Sequence, residues 1–228
     1  TLSGRLMNVG TIQNTAGTIT LDPNTLDPNT RAVFQNGPER PENEIKGIFN
    51  NAGTLTIGQG CAFENTGSFT NNGTITLSGR LMNVGTIQNL SAITLGPDTR
   101  AVFQNGPETP GDKTEGSFDN AGTLTIGLGC TFENTGSFTN KGTCTNGGTF
   151  NHNGTGSNEK DFINNGTFNC TAEFTNSGTF ENGANAACNV GATFTNSGTF
   201  VNEKSAACNI DGQAGKFTNS GTFVNKVI

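Results

Sequence analysis

The chain has 228 residues, with 33 Gly, 17 Phe, 6 Cys, 7 Pro and neither Trp nor Tyr. Only 13% of residues are charged, about half the share of an ordinary globular domain, yet this much Phe does not belong to a disordered chain. The net charge of −6 leaves no basic footprint for nucleic acid or an anionic membrane; no apolar run approaches the roughly 18 residues of a spanning helix, and TLSGRLMNVG at the start lacks the basic and apolar parts of a secretion signal.

Self-similarity organises the rest. Thr1 to Asn14 recurs as Thr76 to Asn89, and the segment from Phe49 recurs from Phe118, shifts of 75 and 69 residues. Their difference is the length of a finer unit: an apolar residue, then Asn two positions later, then Gly-Thr, as in FTNNGT at 69, LMNVGT at 81 and FTNSGT at 174, 194 and 217. Grouped three to a turn, the hexads place first sites at Ile12, Phe49, Phe69, Ile87, Phe118, Phe138, Gly156, Phe174, Phe194 and Phe217. Second sites fall at Ile19, Leu55, Ile75, Ile93, Leu124, Cys144, Phe162, Phe180, Phe200 and Phe223. Third sites fall at Leu6, Phe34, Phe63, Leu81, Phe103, Phe132, Phe150, Phe168, Cys188 and Cys208, and turns run from 18 to 37 residues.

A hexad is too short for a helix, and its Thr, Phe and Ile favour strand. Each predicts one short strand and a bend, with the apolar site inward and its neighbours outward. The fold class expected is all-β: a single-stranded parallel β-solenoid of about ten coils of three short strands. Two past each first site stands Asn14, Asn51, Asn71, Asn89, Asn120, Asn140, Asn158, Asn176, Asn196 or Asn219. Stacked coils bring these amides into one file, so they predict a structural Asn ladder. Gly before the Thr is expected to supply a positive φ at the corner.

Runs such as FTNSGTF and FTNNGTI resemble the parallel β-helix passenger and adhesin domains of microbial cell surfaces, which implies an extracellular or surface-displayed structural protein. The hexapeptide acyltransferases are a poorer comparison, because their hexad pairs an aliphatic residue with a small one, whereas Phe leads here. Near residue 140 the second-site strands change: the position two beyond the apolar site is Leu21, Ile57, Leu77, Leu95 and Ile126 upstream and Asn146, Asn164, Asn182, Asn202 and Asn225 downstream. Residues 1–140 therefore read as one subdomain, with an internal duplication and Pro-rich loops, and 141–228 as an Asn- and Phe-rich second.

Candidate chemistry is sparse. His152 replaces a corner Asn after Phe150 and reads as an amide substitute rather than the base for a nucleophile such as Cys144 or Cys170, since no orienting acid lies in the pattern. The Cys spacing holds no CxxC pair, so no metal and no cofactor is expected. Cys188 and Cys208, one coil apart, are expected as free thiols because side-by-side inward vectors hold their Cβ atoms too far apart for a relaxed disulfide. Glu39, Glu42, Glu44, Glu108 and Glu115 would serve a polysaccharide-acting β-helix enzyme only if they faced a groove; their Pro-rich loops suggest solvated charge, and the chain is read as a non-enzyme. The sequons at Asn72, Asn89, Asn153, Asn165 and Asn169 lie at crowded corners.

Two surface features remain. Pairs of outward residues flank successive second sites: Thr18 and Thr20, Thr54 and Thr56, Thr74 and Thr76, Ala92 and Thr94, Thr123 and Thr125, and Thr143 and Thr145. Such a Thr-x-Thr array resembles the flat face of insect and bacterial ice-binding solenoids. Thr is also simply a good strand former. Neither end of the repeat carries a cap, so end-to-end self-association is the expected partnership. Ile228 followed by Thr1 reads ITLSGRL, identical to Ile75 through Leu81, but Ile228 falls at a third site and Ile75 at a second, a slip of one column.

Overall fold

The computed structural model describes residues 1–22, 32–38, 47–96, 99–108 and 116–226. The described residues hold thirty strands, β1 to β30 in chain order, joined by turns and bends, and no helix. The first three are β1 (Arg5–Asn8), β2 (Thr11–Asn14) and β3 (Thr18–Leu21), and the last three are β28 (Ala207–Ile210), β29 (Lys216–Asn219) and β30 (Thr222–Asn225). Every third strand joins the same sheet, giving three parallel sheets of ten strands each: sheet 1 runs from β1 to β28, sheet 2 from β2 to β29 and sheet 3 from β3 to β30. The result is a parallel β-solenoid. At ~4.8 Å per strand its axis spans about 45 Å.

The columns read from the hexads are the columns of the structure. First sites pair from Ile12 to Phe217 in sheet 2. Second sites pair from Ile19 to Phe223 in sheet 3, and third sites from Leu6 to Cys208 in sheet 1. All three converge on one core. Toward the C-terminal end Phe rings stack coil on coil: Phe162 on Phe180 at 4.9 Å and 8°, Phe180 on Phe200 at 5.1 Å and 4°, Phe200 on Phe223 at 5.4 Å and 6°. Aromatic pairs of this kind add about 0.5–1.5 kcal/mol each beyond the area they bury.

The sheets run unbroken past residue 140, where Phe138 pairs with Gly156 and Leu124 with Cys144. What changes there is the inner residue of sheet 3, as Ile126 gives way to Asn146.

One expectation fails. The Gly before each Thr does not adopt a positive φ; among the described glycines that conformation occurs at Gly37, Gly60, Gly106 and Gly129, none of which precedes a Thr. The corner Gly is needed for a different reason. A Cβ on Gly73 would sit 2.0 Å from the carbonyl oxygen of Gly53 in the coil below. Close stacking of backbone on backbone, not handedness, excludes a side chain.

Candidate functional site

The interior polar residues define the rod's inner chemistry. The first-site ladder is continuous: the Asn14 amide Nδ2 donates to Asn51 Oδ1 at 2.8 Å, and the chain of bonds passes through Asn71, Asn89, Asn120, Asn140, Asn158, Asn176 and Asn196 to Asn219 at 2.7–2.8 Å. Each amide also meets bent backbone, as Asn120 does at the Thr143 carbonyl, 3.2 Å away. Full pairing is what lets the amides from Asn14 to Asn196 lie buried, while Asn219 at the end of the file is exposed.

Two further ladders were not foreseen. In sheet 1, Asn8, Asn36, Asn65, Asn83, Asn105 and Asn134 are linked in the same way. In sheet 3, Asn146, Asn164, Asn182, Asn202 and Asn225 form the third. Their signal, Asn two past an apolar site, is the one already visible in the first column. In all three, Nδ2 donates toward the C-terminal end and Oδ1 accepts from the N-terminal side. An outer file on sheet 1 runs the opposite way, from Asn209 through Asn189 and Asn169 to Asn151, which donates at 2.6 Å to the Glu133 carboxylate.

His152 ends the sheet 1 ladder. Asn134 Nδ2 donates to its Nδ1 at 3.2 Å, and its Nε2–H donates to the Glu173 carbonyl at 2.9 Å. The ring is fully buried, and burial pushes its pKa down to about 4 from the usual 6.5. It is neutral at neutral pH and bonded on both nitrogens, the amide substitute the sequence suggested.

The cysteines are free thiols. Cys144 and Cys170 are buried, and burial raises both. Cys188 and Cys208 are neighbours in register; the Cys188 thiol, buried and hydrogen-bonded to Cys208, is held above the ordinary range.

The Thr pairs align coil over coil. Thr18 and Thr20 pair with Thr54 and Thr56, and these with Thr74 and Thr76. After Ala92 and Thr94 the file resumes at Thr123 and Thr125, which pair with Thr143 and Thr145. Not all of these side chains stand equally open on the outer face of sheet 3. Thr18, Thr74 and Thr123 are exposed, whereas Thr54 and Thr143, together with the second member of every pair, Thr20, Thr56, Thr76, Thr125 and Thr145, are half-buried. Coils in register about 4.8 Å apart cover part of each other's outward side chains, so Thr125 and Thr145 offer water less surface than an isolated outward position would.

Of the five loop carboxylates, Glu39, Glu42, Glu44 and Glu115 lie outside the described residues, as does most of the loop from Asp22 to Arg31. Glu108 forms an exposed ion pair with Arg80, beside an open groove of about 430 Å³ walled by Glu64, Arg80 and Arg100. Among the sequons, Asn89 is buried inside the first-site ladder, and the Asn169 amide is bound into the outer file.

The ends of the rod expose what its middle buries. Leu6 is 40% exposed, Ile210 48% and Phe223 44%. At the C-terminal end Cys208, Ile210, Phe217 and Phe223 wall a hollow of about 490 Å³. At the other end Leu2 bridges Leu21 below sheet 3, donating its N–H to the Thr20 carbonyl at 2.7 Å and accepting from Asp22 N–H at 3.1 Å.

Comparison with protein-family models, with curated proteins and with solved structures returns no match.

Proposed function

We propose that the chain is a structural repeat protein, a segment of an extracellular rod or fibre that continues end to end and is adhesive through its loops. The observation that supports this best is the shaft itself: three unbroken parallel sheets of ten strands each, around an interior closed by its own ladders, a stack of like coils to which further coils can be added. A free strand edge is a template for another strand. Extracellular placement rests on the resemblance of the FTNSGTF runs to surface adhesins. Light scattering and negative-stain microscopy over a concentration series test the reading. Mass should rise with concentration and narrow filaments should appear; a monodisperse species of monomer mass throughout removes it.

A second reading is favoured by one observation, the in-register Thr file on sheet 3. Residues of that file repeat about 6.7 Å along the strand and 4.8 Å between coils, an uncharged lattice suited to ordering water as an ice-binding surface. Thr56→Tyr places a ring in its middle. Thermal hysteresis should be measurable in the wild type and fall to the buffer level in the variant; strong hysteresis that survives the substitution means the face is the wrong one.

A further inference from the structure

Seven Asn-Gly pairs occur in the chain, and the fold treats them in two ways. In four of them the Asn is a ladder residue: Asn36, Asn105, Asn146 and Asn182 are all buried. The Asn146 amide donates to Asn164 Oδ1 at 2.8 Å and to the Thr167 carbonyl at 2.9 Å, while the N–H of Gly147 donates to the Ile126 carbonyl at 2.7 Å. Asn182 donates to Asn202 and to the Ala207 carbonyl, and Gly183 N–H to the Asn164 carbonyl. Gly37 and Gly106 are tied in the same way to the carbonyls of Asn8 and Asn83.

The other three pairs, Asn72-Gly73, Asn153-Gly154 and Asn165-Gly166, stand one residue past the ladder position, at corners where each Asn is exposed. Backbone bonds to the coil before run from these Asn residues and from the Thr after each Gly, and skip the Gly between them. Gly73 N–H meets only Asn71 Oδ1, at 3.4 Å, and the N–H groups of Gly154 and Gly166 have no partner among the described residues. Backbone donors are seldom left so. Of the three Asn side chains only that of Asn153 is bonded among the described residues, its Oδ1 accepting from the Thr171 hydroxyl.

An amide N–H without an acceptor is free to give up its proton and act as a nucleophile, and an exposed Asn side chain is free to swing its Cγ over the nitrogen that follows. We propose that Asn72, Asn153 and Asn165 are sites of succinimide-mediated deamidation, and that the ladders protect the other four Asn-Gly pairs. The Gly nitrogen bonds to Asn Cγ, the Cγ–Nδ2 bond breaks, and ammonia leaves with the proton that the Gly nitrogen gave up. Water then opens the cyclic imide at either carbonyl, giving Asp or isoaspartate. Isoaspartate sends the main chain through the former side chain and lengthens it by one methylene. At these corners even a Cβ on Gly73, Gly154 or Gly166 would strike the carbonyl oxygen of Gly53, Gly136 or Gly148 in the coil before. The isomerised corner therefore loses its stacking, and every conversion adds a negative charge to the rod's edge.

Mass spectrometry tests this within single peptides, because trypsin releases Asn146 with Asn153 in residues 142–160, and Asn165 with Asn182 in residues 161–204. The whole chain is incubated at mildly alkaline pH, folded or unfolded in urea, and digested in heavy-oxygen water so that any conversion during digestion carries its own label. In the folded chain Asn72, Asn153 and Asn165 should exchange NH2 for OH while the four ladder residues stay as in the fresh sample. Within each peptide the ratio should exceed about tenfold, since freeing a ladder Asn breaks at least two hydrogen bonds, and in urea it should fall to near one. Asn146 or Asn182 converting as fast as its peptide partner in the folded chain overturns the ladder protection and the assignment with it. A folded chain unconverted at all three corners, over a time in which the urea sample converts throughout, overturns it as well. A single corner that converts no faster than the ladder residues is not a site.

Discussion

His152 and Gly156 explain each other. In the first-site column, where every other residue is Phe or Ile, Gly156 leaves a space, and the imidazole of His152 fills it: a Cβ on Gly156 would lie 2.4 Å from His152 Cε1 and 2.8 Å from a ring carbon of Phe174. His152 packs edge-on against Phe174, ring centres 5.2 Å apart. The larger ladder residue therefore required the smaller core residue. Protonation adds a second test. The folded imidazole titrates at about 4 rather than 6.5, so below pH 6.5 the unfolded chain binds a proton that the folded one refuses. Stability is lost as pH falls from 6.5 toward 4, by roughly 3 kcal/mol in all. His152→Asn, which keeps an amide in the ladder, should abolish that component. In urea titrations the stability difference between wild type and variant should shrink by about this amount from pH 7 to pH 4; a difference constant with pH means the ring is not excluded from protonation. Gly156→Ala should cost the wild type about 1–3 kcal/mol by overpacking and less in the His152→Asn background, where only the contact with Phe174 remains.

At the scale of the strand and its corner, stacking in register makes a residue's spatial neighbour its counterpart one turn along the chain. That is why the columns were legible from sequence alone, including Cys144, Cys188 and Cys208 among the Phe residues. A periodic sequence shows which residues share a file but not what separates one file from the next. The Gly of Gly-Thr was therefore visible as a requirement while its cause was misjudged: contact with Gly53 in the coil below, not torsion, forbids a side chain at Gly73. The ladders of sheets 1 and 3 obeyed the recognised offset. Their continuity was hidden by exceptions such as His152 and by the apolar residues from Leu21 to Ile126 that occupy the same place upstream. The candidate surfaces were legible to different degrees. Thr alignment follows from the repeat, but the half-burial of Thr125 and Thr145 depends on how closely the coils pack, and the place of Leu2 beneath Leu21 follows from neither, because two residues carry no period.

Over the whole molecule, stability should be graded along the axis. Each coil contacts only the coils above and below it, so a solenoid behaves as a one-dimensional chain of units whose ends lack one neighbour. The burial pattern has this form. Phe118, Phe132 and Phe138 in the middle are at most 1% exposed, against 44% for Phe223 at one end and 40% for Leu6 at the other. Amide hydrogen exchange at low concentration should accordingly be fastest in the first and last coils and slowest between residues 117 and 170. Raising the concentration into the range where filaments form should then protect β1, β2, β29 and β30, whose backbone edges meet a new strand, and leave the middle unchanged. Uniform exchange along the chain at low concentration would mean that the rod opens as one unit. Protection spread over the outer faces of the sheets instead would mean that copies associate side by side, with the strand edges left in water.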